Sequence, residues 1–178
     1  VGKSELTRAD GHLPDTVDPE EVDSFEVGYK DTLFGGAANF DLNAFYYDYT
    51  DFQVTVGTSS GATLIENAGE VEAWGVEGSI TAGVGDYMTA YLTLGWLDTE
   101  ANELQNVCGL EDALGCEGES LFWAPEFSGS FVLHGNYPVD GGAITGAFEL
   151  FWEGERGGGW ENLDETKIDS YEEMNLRV

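Results

Sequence analysis

The chain has 178 residues, of which 35 are acidic and only 6 are Lys or Arg, giving a formal net charge of −29. This charge repels nucleic acid, and a hydrophobic content of 42% excludes disorder for most of the sequence. No run approaches the roughly 18 apolar residues that a transmembrane helix requires.

Apolar and polar residues alternate along most of the chain. Between residues 38 and 55, for example, Phe40 and Leu42 share one parity while Asn39 and Asp41 share the other. A two-residue period places successive side chains on opposite faces of a β-strand, so the pattern predicts about seven strands and no helix. The predicted strands cover residues 22–33, 38–55, 64–82, 87–99, 121–138, 143–153 and 168–178.

Short and long links alternate between these strands. The short links, at residues 35–36, 83–86 and 140–142, contain the glycines that tight hairpins need. The longer polar links lie at residues 57–61, 99–120 and 154–167. Short turns at one end of a sheet and long loops at the other are typical of an outer-membrane barrel. The predicted fold is therefore an all-β, antiparallel up-and-down transmembrane β-barrel, here an incomplete fragment of about seven strands.

The parity of each strand predicts which face meets lipid. Phe40 and Leu42 are expected to face the bilayer, while the carboxylate of Asp41 faces a wet lumen. The tyrosines that follow are expected to approach the outer aromatic girdle, where amphipathic rings suit the membrane interface. These tyrosines are Tyr46, Tyr47 and Tyr49.

A soluble β-sandwich, such as a carbohydrate-binding domain, also has alternating strands and is the main alternative fold. Two features of the sequence favour the barrel. The predicted strands run for roughly 10 to 15 residues, whereas soluble strands commonly have about 5 or 6. Their apolar parity also carries aromatic residues at the strand ends, as in Trp74, Trp96 and Trp152.

The two cysteines lie in one glycine-rich polar link. Cys108 and Cys116 enclose the sequence GLEDALG, which favours a local disulfide and an oxidising compartment; two unrelated free thiols are the alternative. His12 and His134 are distant in sequence and lack the spacing of zinc ligands, so no metal site is predicted.

Several motifs, taken in their order along the chain, resemble the C-terminal half of the barrel of a TonB-dependent outer-membrane receptor. The first is PEEVDSFEVGYKDTLFGGAANFDLNAFYYDYTDFQV, from Pro19 to Val54, and ENAGEVEAWGVEGSI follows it. Ala124-Pro125 then opens a strand, and the final YEEMNLRV resembles a strand close to the end of such a barrel. The resemblance covers nearly the whole chain in the order of the family.

The resemblance implies an outer-membrane receptor of a Gram-negative bacterium, with a barrel of about 22 strands closed around a plug. This chain would supply about a third of the wall, and the plug domain and the terminal strands are expected to lie outside it. The implied function is active uptake of a scarce ligand, such as an iron-siderophore. The implied partners are the TonB energy-transducing complex, reached through the plug, a small-molecule ligand such as a metal chelate, and outer-membrane lipid, with no nucleic acid.

The long loops are the expected ligand contacts. Residues 99–120 form the longest, and the loop at 154–167 offers Arg156 to an anionic chelate and Trp160 for stacking. The alternative for Arg156 is a local ion pair with Glu153 or Glu155, and for Trp160 it is a packing or interfacial role.

The acidic residues do not predict an enzyme. Asp41, Glu77 and Glu149 resemble the paired carboxylates of a glycosidase, but acids on one parity of many strands are better explained as hydrating a lumen. No nucleophile elbow, metal-ligand set or phosphate loop is present, so neither catalytic residues nor a cofactor is predicted. Besides the active receptor, a passive porin or adhesin-type barrel remains open, and a soluble carbohydrate-binding sandwich is less favoured.

Overall fold

The structure is a computed structural model that describes residues 17–57, 63–67, 69–102, 118–159 and 164–178. Nine β-strands and one 3-10 turn, at Phe34–Gly36, form in this part of the chain. The strands are β1 (Glu21–Leu33), β2 (Ala38–Thr50), β3 (Gln53–Gly57), β4 (Thr63–Asn67), β5 (Glu70–Val84), β6 (Met88–Asn102), β7 (Phe127–Val139), β8 (Gly142–Glu153) and β9 (Tyr171–Arg177).

Seven of these strands form one antiparallel sheet in the order β1-β2-β5-β6-β7-β8-β9. The remaining two, β3 and β4, pair with each other as a separate hairpin between β2 and β5. Because each strand pairs with the next strand of the sheet along the chain, the topology is up-and-down. The predicted antiparallel sheet of about seven strands is confirmed, and the sheet does not close on itself within the described residues.

Several strand limits differ from the prediction. The single strand expected over residues 38–55 is wrong, because Asp51 adopts a positive φ of 54° and separates β2 from β3. Gly69, with φ of 139°, similarly divides the strand expected over residues 64–82 into β4 and β5. The strand expected from residue 121 begins only at Phe127, after Trp123 with φ of 63°.

The three short links lie at one edge of the sheet, and the long links lie at the opposite edge. At the short edge, Gly35, Gly85 and Gly141 have φ of 68°, 64° and 85°. Glycine adopts these left-handed conformations without the steric cost of a Cβ, so the chain reverses within a few residues. We call the end of the sheet that carries the β3–β4 hairpin and the other long links the loop edge, and the end with the short links the short-turn edge.

The register aligns the apolar parity of every strand into continuous rows. One row crosses six strands through directly paired residues: Phe40, Ile80, Leu92, Phe131, Leu150 and Met174. The neighbouring row on the other face is mostly polar: Lys30, Asp41, Ser79, Thr93, Ser130, Phe151 and Glu173. The sheet therefore has one apolar face and one polar face, as the alternation predicts.

The apolar face is not covered by a second layer in the described part of the chain. Phe25 is 67% exposed and Val27 is 71% exposed, whereas a β-sandwich buries such side chains between two sheets. The buried hydrophobic residues are few and small or β-branched: Ala38, Val54, Val71, Ala73 and Ala101. Among the described residues, no helix is long and apolar enough to cross a bilayer.

Candidate functional site

Polar side chains of neighbouring strands pair with each other at several places on the polar face. Lys30 Nζ lies 2.7 Å from Asp41 Oδ2, between β1 and β2. Farther along the sheet, the hydroxyls of Thr93 and Ser130 lie 2.6 Å apart. At the β8–β9 pair, Arg177 donates to Glu149. These contacts link neighbouring strands on a face that water can hydrate.

Four aromatic side chains follow one another toward the loop edge, three on the polar face of β2 and the fourth in the link between β2 and β3. We call Phe45, Tyr47, Tyr49 and Phe52 the aromatic ladder. The rings of Phe45 and Tyr47 stack with centroids 5.1 Å apart, and Tyr47 meets Tyr49 edge-on at 6.4 Å. The ring of Tyr49 in turn meets Phe52 edge-on at 6.0 Å. The ladder therefore presents a continuous aromatic surface that ends among the long links.

Small residues on β5 make room for the ladder. Phe45, Tyr47 and Tyr49 lie directly opposite Gly75, Ala73 and Val71, in that order. A Cβ at Gly75 would come within 2.7 Å of Phe45 Cζ and 2.5 Å of a backbone oxygen, so the ring lies directly over the glycine. Ala73 and Val71 are buried, which indicates that the larger rings cover them. This large-to-small pairing fixes the ladder against the wall.

The ladder corrects one prediction about the tyrosine cluster and was not itself predicted from the sequence. Tyr46, Tyr47 and Tyr49 were all expected in the outer girdle, but only Tyr46 lies on the apolar face. Because the side-chain period of a strand is two, Tyr47 and Tyr49 must point to the opposite face. Strict parity along 45, 47 and 49 is the signal that identifies the ladder.

Aromatic residues border the apolar face at both edges. Near the loop edge they are Phe25, Tyr46, Trp74, Trp96, Phe127 and Trp152. Two of them form side-chain hydrogen bonds: Tyr46 donates to Glu72 at 2.6 Å, and Trp96 Nε1 donates to Glu126 at 3.1 Å. At the short-turn edge, Tyr87 meets Tyr137 with centroids 5.0 Å apart. Two aromatic girdles of this kind are characteristic of a barrel wall that spans a bilayer.

The structure places Arg156 in a local cluster at the loop edge. Its guanidinium forms an ion pair with Glu153 and lies over the ring of Tyr171, 5.9 Å from the centroid. Its backbone pairs with Ile168 through two hydrogen bonds of 3.1 and 2.9 Å. The side chain is only 20% exposed. The local ion pair with Glu153 is therefore formed, and a ligand role for Arg156 stays a prediction.

The same loop contains a second ion-pair cluster. Lys167 Nζ lies 3.3 Å from Asp164 and 3.5 Å from Glu155. The hydrogen bond with Asp164, followed by the charge of Glu155, raises the pKa of Lys167, so the ammonium stays protonated at neutral pH. In the described part of the chain, no group of three or more His, Cys, Asp or Glu side chains is placed to hold a metal ion.

The predicted disulfide and Trp160 fall outside the described residues. We expect Cys108 and Cys116 to be joined, which would stabilise their short loop by about 2–3 kcal/mol. Mass spectrometry of non-reduced peptides from receptor isolated in its native membrane should detect the crosslinked pair. Two thiols open to alkylation in that preparation would contradict the prediction.

An antiparallel wall with one apolar face, two aromatic girdles and alternating short and long links is a segment of a transmembrane β-barrel. A family model described as "TonB dependent receptor-like, beta-barrel" matches residues 6–178. The chain therefore belongs to this family, and the predicted resemblance is confirmed. Barrels of this family lie in the outer membrane of Gram-negative bacteria, where the apolar face meets lipid and the polar face lines the lumen.

Three solved structures have the same fold as this chain. The ferric yersiniabactin uptake receptor FyuA of Yersinia pestis superimposes with a TM-score of 0.68 at 16% identity, over 88% of this chain and 22% of its own. BauA, the ferric preacinetobactin receptor of Acinetobacter baumannii, superimposes with a TM-score of 0.68 at 16% identity, over 93% of this chain and 23% of its own. The FrpB iron transporter of Neisseria meningitidis superimposes with a TM-score of 0.60 at 13% identity, over 89% of this chain and 24% of its own.

These proteins are much longer than the present sequence. The chain spans about a quarter of the length of each of the three solved structures. A comparison with curated proteins returned no match. The barrel fold replaces the β-sandwich alternative.

Proposed function

We propose that the protein to which this wall belongs is an energised outer-membrane receptor that takes up a scarce small molecule, such as a metal chelate. The observation that carries the proposal is the family match over residues 6–178. The fold likeness to two ferric-chelate receptors and an iron transporter supports iron as the cargo. The family is one of transport receptors, which supports a protein without enzymatic activity.

The two faces of the sheet have different tasks in this proposal. The apolar face and its girdles hold the wall in outer-membrane lipid. The loop edge and the aromatic ladder, whose neighbouring rings contact one another from Phe45 to Phe52, meet the ligand as it enters the lumen. Energy reaches the receptor from the TonB complex through a plug domain supplied by another part of the protein.

Uptake of radioactive iron tests the proposal in cells that carry the full-length receptor. The probe is iron bound to the chelators that the same bacterium secretes into iron-poor medium. We expect accumulation in cells with the receptor, and its loss when either the receptor gene or the TonB complex is removed. The matched control is a strain in which the full-length gene is restored from a plasmid.

Uptake through a passive porin would not depend on energy from the TonB complex. If receptor-dependent accumulation persists at the same rate without TonB, the barrel is a diffusion pore and the energised mechanism is wrong. If removal of the receptor gene leaves accumulation unchanged, iron carried by these chelators is not its cargo.

A further inference from the structure

Every Lys and Arg side chain of the described wall has a carboxylate partner. Four Lys and Arg side chains lie in the described residues, and each is paired with a carboxylate. The pairs are Lys30 with Asp41, Arg156 with Glu153, Lys167 with Asp164 and Glu155, and Arg177 with Glu149. An anionic chelate that approached one of these cations would have to compete with the carboxylate already paired to it.

Within the described residues, the carboxylates beside the aromatic ladder have no basic partner. Glu26 accepts a hydrogen bond of 2.6 Å from the hydroxyl of Tyr47, in the middle of the ladder. Toward the short-turn edge, Asn43 Nδ2 donates to Glu77 at 3.5 Å. Asn43 is the residue next to Phe45 on the same face of β2. Toward the loop edge, Glu20 accepts a hydrogen bond of 3.1 Å from the backbone N–H of Gln53, the residue that follows the ladder. The donors to these carboxylates are neutral, so no basic side chain of the described residues compensates their charge.

Aromatic faces and uncompensated carboxylates attract the same class of molecule. The negative face of an aromatic ring attracts a cation within about 6 Å of its centroid. A cleft lined with one sign of charge concentrates ligands of the opposite sign and repels those of the same sign. Binding an anion would instead call for Arg or Lys donors, which the described ladder lacks.

We propose that the aromatic ladder and the carboxylates of Glu26 and Glu77 form a contact surface for a ligand that carries a cationic group. This inference rests on the proposed uptake function and narrows its substrate class. The rings stack against the body of the ligand, and the carboxylates select its positive end. A chelate or other nutrient bearing an ammonium group fits this surface, whereas a polyanionic chelate does not.

The electrostatic selectivity of the ladder can be measured without knowing the ligand. In the full-length receptor, Cys108 and Cys116 are first replaced by Ser, and Tyr49→Cys then places one thiol on the ladder. Two thiosulfonate reagents of similar size are applied to whole cells, one with a trimethylammonium group and one with a sulfonate group. Each rate is divided by the rate of the same reagent with a free cysteine peptide.

We expect the cationic reagent to react at least about tenfold faster after this correction, a difference of about 1.4 kcal/mol. Adding Glu26→Gln and Glu77→Gln should reduce the ratio several-fold, because both charges are lost while hydrogen-bonding groups remain. Asp86→Asn removes a carboxylate at the short-turn edge, between β5 and β6, and serves as the matched control that leaves the ratio unchanged. Phe52→Cys provides a second position if the first variant does not assemble.

Equal rates for the two reagents, or a faster anionic reagent, would overturn the proposal. So would a folded receptor whose ladder cysteines react with neither reagent, since the ladder would then lie off the path of the ligand. The uptake experiment and the labelling experiment test different claims. Iron accumulation without TonB would contradict the energised mechanism, while the measured charge preference of the ladder would stand.

Discussion

Replacing Leu94 with Arg is expected to lower the free energy of unfolding of the full-length receptor by about 2–4 kcal/mol. Leu94 lies in the middle of β6 on the apolar face, where it pairs with Gly78 on one side and Gly129 on the other. It is 52% exposed in the described sheet, so its natural neighbour in the membrane is lipid. An arginine there would have to leave water or distort the bilayer to stay hydrated.

The adjacent residue provides the control for this effect. Thr93 lies on the polar face, where its hydroxyl is 2.6 Å from that of Ser130. Thr93→Arg should therefore cost much less, because a lumenal guanidinium remains in contact with water. Urea-induced unfolding in lipid vesicles, followed by tryptophan fluorescence, measures both variants. Equal losses of stability at the two positions would show that the faces are assigned incorrectly.

Replacing Gly129 with Ala is the second large expected effect, with a cost of about 1–3 kcal/mol from overpacking. A Cβ at Gly129 would lie 2.1 Å from Trp152 Cζ2 and 2.8 Å from the backbone oxygen of Thr93. The indole of Trp152 lies over the glycine, where it contributes to the girdle near the loop edge. Both groups limit the space: the ring would have to leave its position over the glycine, and the backbone oxygen cannot move without disturbing the β6–β7 pairing.

Gly135 is the matched control, because it lies on the same strand and the same face. A Cβ there would meet only Met88 Cγ at 3.7 Å and a backbone oxygen at 4.0 Å, which are ordinary contacts. Gly135→Ala should be neutral or stabilise by up to about 1 kcal/mol, since the unfolded chain loses conformational freedom. Combining Gly129→Ala with Trp152→Ala should cost less than the sum of the single changes. Strict additivity would mean that the ring does not limit the space at Gly129.

Parity allowed most of the sheet to be predicted from the sequence. Because the side-chain period of a strand is two, a residue such as Leu92 defines the faces of its whole strand. The short turns were readable for a separate reason, since Gly35 and Gly141 adopt the left-handed conformations that tight reversals need. Neither signal depends on contacts between distant parts of the chain.

The loop edge was less predictable, because its geometry depends on contacts between distant segments. Asp51 and Trp123 adopt positive φ without being glycine, so local propensity gave no warning that strands end near them. Trp123 is held by a hydrogen bond of 2.9 Å from its backbone N–H to the oxygen of Gly157, in the next long link. The aromatic ladder was missed for a different reason: a cluster of tyrosines was treated as one group although its members alternate between faces.

The sidedness of the links tests most directly whether this chain is a wall that spans the outer membrane. Single cysteines are placed at Thr55 or Glu165, on the loop edge, and at Gly36 or Gly141, in the short turns. Cys108 and Cys116 are replaced by Ser in the full-length receptor to remove the background. An impermeant thiol reagent is then applied to intact cells, and again after the outer membrane has been permeabilised.

The loop-edge cysteines are expected to react in intact cells, and the turn cysteines only after permeabilisation, because barrel turns are short on the periplasmic side and loops are long outside. Labelling at Gly36 and Gly141 with protection at Thr55 and Glu165 would invert the barrel. Labelling at all four positions in intact cells would contradict a membrane-spanning wall.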